Sequence, residues 1–373
     1  MINVPHLYRR GRPPEVDPAV VERVLALEAR QRNLGVQPIY TLRHLAHLTT
    51  VDYGYLRSIT SRARDGYDVY EVAKRSGSGK RSIAAPEPPL AVTQRWLLDN
   101  VFAKLTASSA SYAYIQGKSA VDCAREHVGA RWLLKLDLKD FFHQIDEIQV
   151  FGLLRAAKYE PLPAFEIARI CTRHTSSPQP WLPAKYSREA SATTSLMPYS
   201  KQRLGYLPQG SPSSGAISNL VAINMDAALT EVSIQHHLTY TRYADDISFS
   251  SAADVSRALA GNVIADAGRA IERAGFEINT AKTRVLGPGS RMRLLGVLID
   301  GPKLRLTSQT RDRIEFHLRG MRKFGTVEHG KSCGFRDTIG LQHHVRGLID
   351  YANDVDPDIA KSYMVRFRDL AVY

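Results

Sequence analysis

The segment RWLLKLDL, Arg131 to Leu138, constrains the fold more than any other stretch of the chain. Its nearly continuous apolar residues are typical of a β-strand buried on both faces. The run ends at Asp137, so a carboxylate is carried by a rigid strand, as a metal site requires. Taken alone, Asp137 could also cap the following turn. The segment therefore predicts a central strand that ends in a candidate ligand.

A second acidic feature lies in TYTRYADDISFS, Thr239 to Ser250. Tyr, Thr, Ile and Phe favour strands, whereas Asp favours turns, so the segment predicts a hairpin with Asp245 and Asp246 at its tip. A solvated turn would explain the two aspartates by themselves. If the hairpin lies beside the Asp137 strand, the three carboxylates repel one another unless a cation neutralises them, and hard divalent cations prefer oxygen ligands. Two metals about 3.5–4 Å apart can activate a hydroxyl and stabilise a departing pyrophosphate.

The segment GYLPQGSPSSGAISN, Gly205 to Asn219, lies between the two acidic features. Gly210 permits a close backbone approach to a ligand, and Pro212 stiffens the turn before a helix. The start of that helix could bind an anionic backbone or a nucleotide. An ordinary loop before a helix explains the same residues equally well.

Charge and cysteine content narrow the class of protein. The 373-residue chain has a formal net charge of +13, which favours a polyanionic partner, nucleic acid first and an anionic membrane second. No window of eighteen apolar residues occurs, so we expect no membrane span. Three widely spaced cysteines suggest reduced thiols and a cytoplasmic location. No cysteine–histidine spacing suggests a zinc site.

The remaining pattern predicts helices at both ends of the chain and mixed structure between them. Helices are expected at 17–35, 41–50 and 53–65, then a strand pair around a turn at 76–79, and a further helix at 88–105. Residues 174–206 are predicted to be a long loop. One helix is predicted at 213–232, a strand pair at 276–300, and helices after Thr307.

The ordered segments LDLKDFF, LPQGSPSSGAISN, YADD, GFEINTAKT and LLGVLID resemble motifs A to E of reverse transcriptases. Upstream, SGKRSIAAPEPPLAVTQRWLLDNV resembles the fingers segment of bacterial members, and YIQGKSAVDCAREHVGARWLLKLDLKDFF resembles the retron branch. The resemblance covers nearly the whole chain. It implies an α+β right-hand polymerase fold, with an N-terminal helical extension (1–66), fingers and a palm with an antiparallel sheet (67–300), and a helical, RNA-binding thumb (301–373).

The resemblance also implies roles for particular residues. Lys282 would join the three aspartates in catalysis as a proton donor, and the Leu138 carbonyl would join them in metal binding. Phe142 would stack under the incoming sugar and exclude a ribose, whereas Phe141 beside it would fill the core. The nucleotide-binding set would be Lys80, Arg81, Phe142, Gln209 and Gly210. The nucleic-acid-binding set would be His127, Tyr243, Leu295, Gly296, Arg319, Arg322 and Lys323.

By the same resemblance, the chain would be an RNA-directed DNA polymerase of a retron that uses deoxynucleotides and two Mg²⁺ ions, with Mn²⁺ as a possible substitute. Its template and primer would be a structured noncoding RNA, copied into branched multicopy single-stranded DNA for antiphage defence beside an effector or toxin protein encoded nearby. Four residues depart from the retron pattern: Cys123 replaces an asparagine, Leu294-Leu295 replaces Val-Thr before Gly296, and Gly215 replaces a proline. Another defence or group II intron-like reverse transcriptase with different priming, or an RNA-binding scaffold, are the alternatives.

Overall fold

A computed structural model of the chain describes residues 17–73, 80–174, 186 and 204–370. The predicted turn at 76–79 and most of the predicted 174–206 loop lie outside these residues. The described residues form two compact units that interleave along the chain. The first unit contains those of Met1–Ile115, Leu138–Ala228 and Ala270–Ile278, and the second contains those of Gln116–Asp137, Leu229–Arg269 and Asn279–Tyr373.

Helices account for most of the regular structure. In chain order they are α1 (Pro18–Asn33), α2 (Leu42–Thr49), α3 (Tyr53–Thr60), α4 (Pro88–Asn100), α5 (Ala120–Arg125), α6 (Phe141–Gln144), α7 (Glu147–Ala156), α8 (Pro161–Cys171), α9 (Ser214–Val221), α10 (Ile223–Gln235), α11 (Arg257–Arg273), α12 (Ser308–Phe324), α13 (Thr326–Ser332), α14 (Thr338–Val355) and α15 (Pro357–Arg368). The strands are β1 (Tyr67–Ala73), β2 (Lys80–Pro86), β3 (Trp132–Asp137), β4 (Thr239–Tyr243), β5 (Asp246–Ser251), β6 (Arg284–Leu286), β7 (Arg293–Leu294), β8 (Val297–Leu298) and β9 (Arg305–Leu306).

The three predicted N-terminal helices are confirmed, and each begins at a polar cap. The Asp17 carboxylate accepts a hydrogen bond from the Ala19 backbone N–H at 2.9 Å, and a proline follows it at the first helical position. Thr41 and Asp52 cap α2 and α3 in the same way. These side chains satisfy backbone donors that have no partner within the helix.

In the first unit, β1 and β2 form an antiparallel ribbon that pairs Tyr67 with Pro86 at one end and Ala73 with Lys80 at the other. The two-residue alternation predicted this strand pair correctly, but it did not predict burial. Tyr67 is buried, whereas Val69 and Val72 are exposed. Most of β1 therefore has solvent on both faces. Its alternating sequence does not indicate which side chains are buried.

The second unit contains a four-stranded antiparallel sheet in the order β4-β5-β3-β6. The prediction of a central buried strand is confirmed, because β3 lies between β5 and β6 and its leucines Leu133, Leu134 and Leu136 are at most 1% exposed. The pairing of β3 with β5 runs from Trp132 opposite Ser251 to Asp137 opposite Asp246. This register places two of the candidate carboxylates side by side.

A second core in this unit joins the small sheet β7-β8-β9 to the C-terminal helices. Ile314 and Leu318 of α12 pack with Leu341 and Val345 of α14, all at most 1% exposed. The prediction of helices after Thr307 is confirmed, and α12 begins where the Thr307 side chain caps it. The small sheet and the C-terminal helices thus share one apolar core.

Two element predictions were wrong in detail. The helix expected at 213–232 is two helices, α9 and α10, separated at the buried residue Ala222. No glycine or proline marks this break, so periodicity alone gives a single helix. The strand pair expected at 276–300 is three short strands, and β6 belongs to the large sheet while β7 and β8 belong to the small one. Strands of two or three residues are too short for an alternating pattern to assign them.

His127 connects the segment after α5 to both strands of the acidic hairpin. Its Nδ1 lies 2.6 Å from Ser250 Oγ and its Nε2 lies 2.7 Å from Thr241 Oγ1. The ring is 1% exposed, and burial lowers its pKa to about 4. The unfolded chain therefore binds a proton at this histidine near pH 6.5, whereas the folded chain does not until about pH 4.

We expect acid to destabilise the fold through His127. Because the unfolded state takes up the proton first, the free energy of unfolding should fall as the pH drops from 7 towards 4, by about 3 kcal/mol from this one group. Urea unfolding at several pH values should show a shallower pH dependence for His127→Gln than for the unchanged chain. An equal pH dependence in the two proteins would contradict the assignment.

Candidate functional site

Three carboxylates meet at one end of the large sheet in the second unit. Asp137 is the last residue of β3 and Asp246, its direct partner, is the first residue of β5. Asp245 precedes Asp246 in the turn of the β4–β5 hairpin. Asp137 is 7% exposed, and the other two side chains are partly buried. Like charges directly opposite each other destabilise a strand pair, so this arrangement favours a cation nearby.

The hairpin turn is held in an uncommon backbone conformation. Ala244 has a φ of 57°, in the left-handed region that residues with a Cβ seldom adopt. The guanidinium of Arg242, which is fully buried, donates to the Ala244 carbonyl at 3.0 Å. Sequence reasoning did not single out Arg242. An arginine within an otherwise buried strand was the signal that could have identified it, because a buried charge needs fixed partners.

The pKa values of two of the three carboxyl groups are raised. Burial, followed by the charge of Asp246, raises the pKa of Asp245 to about 6. Burial also raises the pKa of Asp246, with Asp137 adding to the rise while Lys135 and Lys282 oppose it. A raised carboxyl pKa means that the ionised form is disfavoured until positive charge arrives.

Lys282 supplies positive charge to this cluster. Its Nζ lies 2.8 Å from each carboxylate oxygen of Asp137, although 59% of the lysine side chain is exposed. Burial lowers the pKa of Lys282, but the hydrogen bond to Asp137 and the charges of Asp245 and Asp246 outweigh that effect and raise it overall. The ammonium therefore stays charged and neutralises part of the acidic cluster.

Asn279 also holds Asp137 in place. Its backbone N–H donates to the Asp137 carbonyl at 2.7 Å, and its side-chain amide donates to Asp137 Oδ1 at 3.2 Å. Asn279 belongs to the segment GFEINTAKT, but the resemblance assigns no role to it. Its position three residues before Lys282 was the available signal. Together the two residues orient a carboxylate that a rigid strand already positions.

The donor set fits a hard divalent cation. Three carboxylates offer oxygen ligands at one sheet edge, and their mutual repulsion is relieved by positive charge. Leu138, whose carbonyl was the fourth predicted ligand, follows Asp137 in the chain and is buried, in a bridge with Ile278. Its role as a ligand stays a prediction.

In the first unit, the predicted sugar-stacking residue Phe142 has an aromatic neighbour that sequence reasoning missed. The rings of Phe142 and Tyr114 meet edge to face with centroids 6.0 Å apart. Phe141 is 3% exposed and packs against Phe276, which supports its assignment to the core. Phe142 is partly buried and remains accessible.

Tyr114 also explains one departure from the retron pattern. A Cβ added at Gly215 would overlap the Tyr114 ring, so a proline at this position would displace the tyrosine. Tyr114 itself has a φ of 59°. The glycine thus makes room for the side chain that packs against Phe142, and the two sequence positions are linked through that ring.

Gln209 and Gly210 lie against β2 of the ribbon. The Gln209 carbonyl accepts a hydrogen bond from the Ala84 N–H at 2.8 Å, and a Cβ at Gly210 would come within 2.6 Å of the Ala84 carbonyl oxygen. Gly210 has a φ of 126°, which only glycine adopts readily. The close backbone approach expected at Gly210 is therefore made to the protein itself.

The charged residues of the ribbon are exposed. Lys80 forms an ion pair with Glu71 at 2.7 Å, across the strands, and Arg81 follows it on β2. Such an exposed pair contributes little to stability and is easily exchanged for another anion. The exposure of Lys80 and Arg81 is compatible with a contact to a triphosphate, which stays a prediction.

His127 and Tyr243, both predicted nucleic-acid contacts, differ in accessibility. His127 is interior and both ring nitrogens face hydroxyls, which favours a structural role over a direct contact. Cys123, which replaces the retron asparagine, lies beside it, with its Sγ 3.2 Å from Thr241 Oγ1. Tyr243 is partly exposed and pairs with Asp246 at the hairpin tip.

Leu295 and Gly296 form the two-residue turn between β7 and β8. Both have positive φ values, 47° and 95°, as expected of a type I′ hairpin turn. A leucine in this conformation is strained by about 1–2 kcal/mol. Such strain persists where the surrounding structure enforces it, which is common at functional positions.

The basic residues predicted on the thumb helix lie on α12. Arg319, Arg322 and Lys323 are all exposed. Arg319 contacts Glu315 at 3.2 Å, and Glu315 also binds Arg366 through both carboxylate oxygens. This face of α12 is therefore basic and solvent-accessible, as the sequence predicts. Its binding to RNA stays a prediction.

The structure thus separates the predicted residues into two groups. Asp137, Asp245, Asp246 and Lys282 come together in the second unit, which also contains the hairpin-turn and α12 residues. The predicted nucleotide-binding residues belong to the first unit.

Among the described residues, no helix is long and apolar enough to cross a membrane.

Comparisons with known proteins agree with the family that the order of motifs A to E indicates. The family described as reverse transcriptase (RNA-dependent DNA polymerase) matches residues 73–299. The retron Mx65 reverse transcriptase of Myxococcus xanthus is 30% identical, over 95% of this chain and 81% of the relative. The retron Ec86 reverse transcriptase of Escherichia coli is 26% identical, over 88% of each.

A further Myxococcus xanthus relative, the retron Mx162 reverse transcriptase, is 27% identical over 82% of this chain, which spans 61% of that relative's length. A family match over more than half of the chain, together with a retron relative aligned over most of both sequences, shows that the chain belongs to the reverse transcriptases and, among them, to the retron type.

Proposed function

We propose that this RNA-directed DNA polymerase copies part of a structured noncoding RNA of its own retron into multicopy single-stranded DNA, using deoxynucleotides and Mg²⁺. The observation that carries the proposal is the convergence of Asp137, Asp245 and Asp246 at the end of β3 and β5, with Lys282 on the first of them. A fold needs no such cluster, because three adjacent carboxylates destabilise it unless they serve a bound cation.

The three aspartates would hold the metal ions, two Mg²⁺ or in their place Mn²⁺. Bound divalent ions would supply charge neutralisation for an attacking primer hydroxyl and for the leaving pyrophosphate. The carboxylates are presented on a sheet edge whose strands are buried, so their positions need little adjustment on binding. The pKa of Asp245, raised to about 6, supports this role, because burial and the charge of Asp246 disfavour the ionised form until a cation neutralises it.

Lys282 would serve as a proton donor and as a movable counter-charge. It is held on Asp137 by two short contacts but remains 59% exposed, so it can leave the carboxylate and meet an incoming phosphate. Its raised pKa keeps it protonated, as a general acid must be before it acts.

The incoming nucleotide would be bound by Lys80, Arg81, Gln209 and Gly210, with Phe142 under its sugar. The exposed charges of the ribbon suit a triphosphate, and the ring of Phe142 is fixed by the edge contact with Tyr114. A fixed aromatic ring excludes an added hydroxyl better than a mobile one, because it cannot retreat.

The template and product would lie along basic and strained surface residues, Tyr243, Leu295, Gly296, Arg319, Arg322 and Lys323, with His127 supporting the hairpin. The net charge of +13 supports binding of a polyanion. The proposal also includes priming from a 2′-hydroxyl of the RNA and a branched product. It further includes an effector or toxin protein encoded nearby, a role in antiphage defence and a cytoplasmic location. These features rest on the resemblance to retron reverse transcriptases, and the cytoplasmic location rests on the three widely spaced cysteines.

We predict that Asp245→Asn combined with Asp246→Asn abolishes DNA synthesis and leaves RNA binding largely intact. Removing groups that act at the reacting atoms should slow primer extension by at least about 10³-fold. The measurement is single-turnover extension on an RNA template, paired with an RNA-binding titration. A matched control is Asp254→Asn, an exposed carboxylate paired with Arg131, which should extend normally. Extension by the double variant at the unaltered rate would exclude the proposed site.

Phe142→Ala should relax sugar selection. Loss of the ring should raise incorporation of ribonucleotides relative to deoxynucleotides by about 10- to 100-fold, the range for steric discrimination in a pocket. Competition between the two nucleotides in primer extension measures it. Phe142→Tyr keeps the ring and should keep the preference. If Phe142→Ala discriminates as the unaltered enzyme does, Phe142 has only a packing role.

Expression of the chain with its own RNA should yield a co-purifying nucleic acid that is sensitive to both DNase and RNase and contains a branched linkage. The double aspartate variant should co-purify with RNA alone. The measurement is gel analysis before and after each nuclease and after a debranching enzyme. An active preparation that contains only unbranched DNA would favour a reverse transcriptase with a different priming mode.

A further inference from the structure

A compact cluster of metal-ligating side chains lies in the second unit at a distance in sequence from the polymerase carboxylates. It consists of His317 on α12, His329 on α13 and Cys333 directly after α13. Their ligand atoms all lie within 4.8 Å of one another. His317 Nδ1 is 3.2 Å from His329 Nε2, which is 3.6 Å from Cys333 Sγ.

The local fold brings these groups together for a simple reason. His329 and Cys333 are four residues apart and share a helix face, whereas His317 is twelve residues from His329 and reaches it only because the chain reverses at Gly325. A Cβ at Gly320 would overlap the His329 ring, so the glycine lets that imidazole lie directly on α12. Sequence reasoning overlooked the His329–Cys333 pair because no second pair accompanies it.

We propose that His317, His329 and Cys333 bind one Zn²⁺ ion, a site separate from the polymerase centre. Imidazole nitrogen and thiolate sulfur are the ligands that zinc prefers, whereas Mg²⁺ selects carboxylates such as Asp137. A tetrahedral zinc ion with Zn–N of about 2.0–2.1 Å and Zn–S of about 2.3 Å places two nitrogens about 3.3 Å apart and a nitrogen about 3.6 Å from a sulfur. The two closest separations in the cluster agree with these values.

The surroundings favour a bound ion as well. His317 and His329 are 5% and 3% exposed, and Cys333 is partly exposed, so solvent can supply the fourth ligand and an entry path. The His317 ring packs against the rings of Phe335 and His344, with centroids 6.1 and 5.2 Å away. Aromatic packing of this kind limits rotation of the His317 ring and so fixes its orientation as a ligand.

The ion would fasten the seven-residue helix α13 to α12. A helix this short has little stability of its own, so its position depends on what it packs against. Next to the cluster, a groove of about 460 Å³ is lined in part by His329, Arg319 and Lys323. Zinc would therefore hold one wall of the surface that carries two of the predicted RNA contacts, which makes the role structural.

The test uses the full chain, stripped with a chelator and titrated with Zn²⁺ against a fluorescent competitor, with metal content measured by mass spectrometry. We expect one Zn²⁺ per chain. Cys333→Ser and His329→Asn should each weaken binding by at least about 100-fold, more than changes to supporting groups cause. Two controls should retain zinc: His343→Asn, an exposed histidine on α14, and the Asp245→Asn, Asp246→Asn double variant, which separates this site from the polymerase centre.

A second measurement needs no substitution. Co²⁺ added to the stripped wild-type chain should give a thiolate-to-metal charge-transfer band, and Zn²⁺ should protect Cys333 from alkylation more than Mg²⁺ does. Absence of both effects, or a stoichiometry that does not change in Cys333→Ser, would leave a hydrogen-bonded cluster only and overturn the proposal. Loss of zinc in the double aspartate variant would overturn it too, by moving the ion to the polymerase site.

Discussion

Electrostatic repulsion among Asp137, Asp245 and Asp246 is the constraint around which the second unit is arranged. The register of β3 with β5 forces two of these carboxylates to be neighbours, and the hairpin turn adds the third. Positive charge from Lys282, on Asp137, and from Lys135 opposes this repulsion, while Arg242 holds the turn through the Ala244 carbonyl. The turn is thus held by a buried guanidinium, whereas the lysine that neutralises Asp137 is 59% exposed.

Several other residues of the second unit hold these carboxylates in place. The buried leucines of β3 give the strand its position, and Asn279 fixes the side chain at its end. His127 joins β4 to β5 through two hydroxyls, and Cys123 reaches the same threonine. The segment before the Asp137 strand therefore contacts both strands of the acidic hairpin, and Cys123 takes part through the Thr241 hydroxyl.

The placement of the candidate aspartates could be predicted from the sequence because strand-forming and turn-forming residues mark it locally. Asp137 ends an apolar run and Asp245 follows a strand, so the local pattern indicated the element that carries each carboxylate. The supporting residues could not be predicted in the same way. Arg242, Tyr114 and Gly215 are defined by what packs against them, and nothing in their local sequence names the partner.

The sequence by itself determined the fold class, the central strand, the acidic hairpin and the likeness to retron reverse transcriptases, because these depend on short-range patterns and on motif order. Only the tertiary structure decided which backbone Gly210 approaches, how Lys282 meets Asp137, and that His317 joins His329 and Cys333. Each of these contacts joins residues whose separation is set by chain reversals and strand register. Such distances follow from packing of the whole unit, so a linear pattern does not contain them.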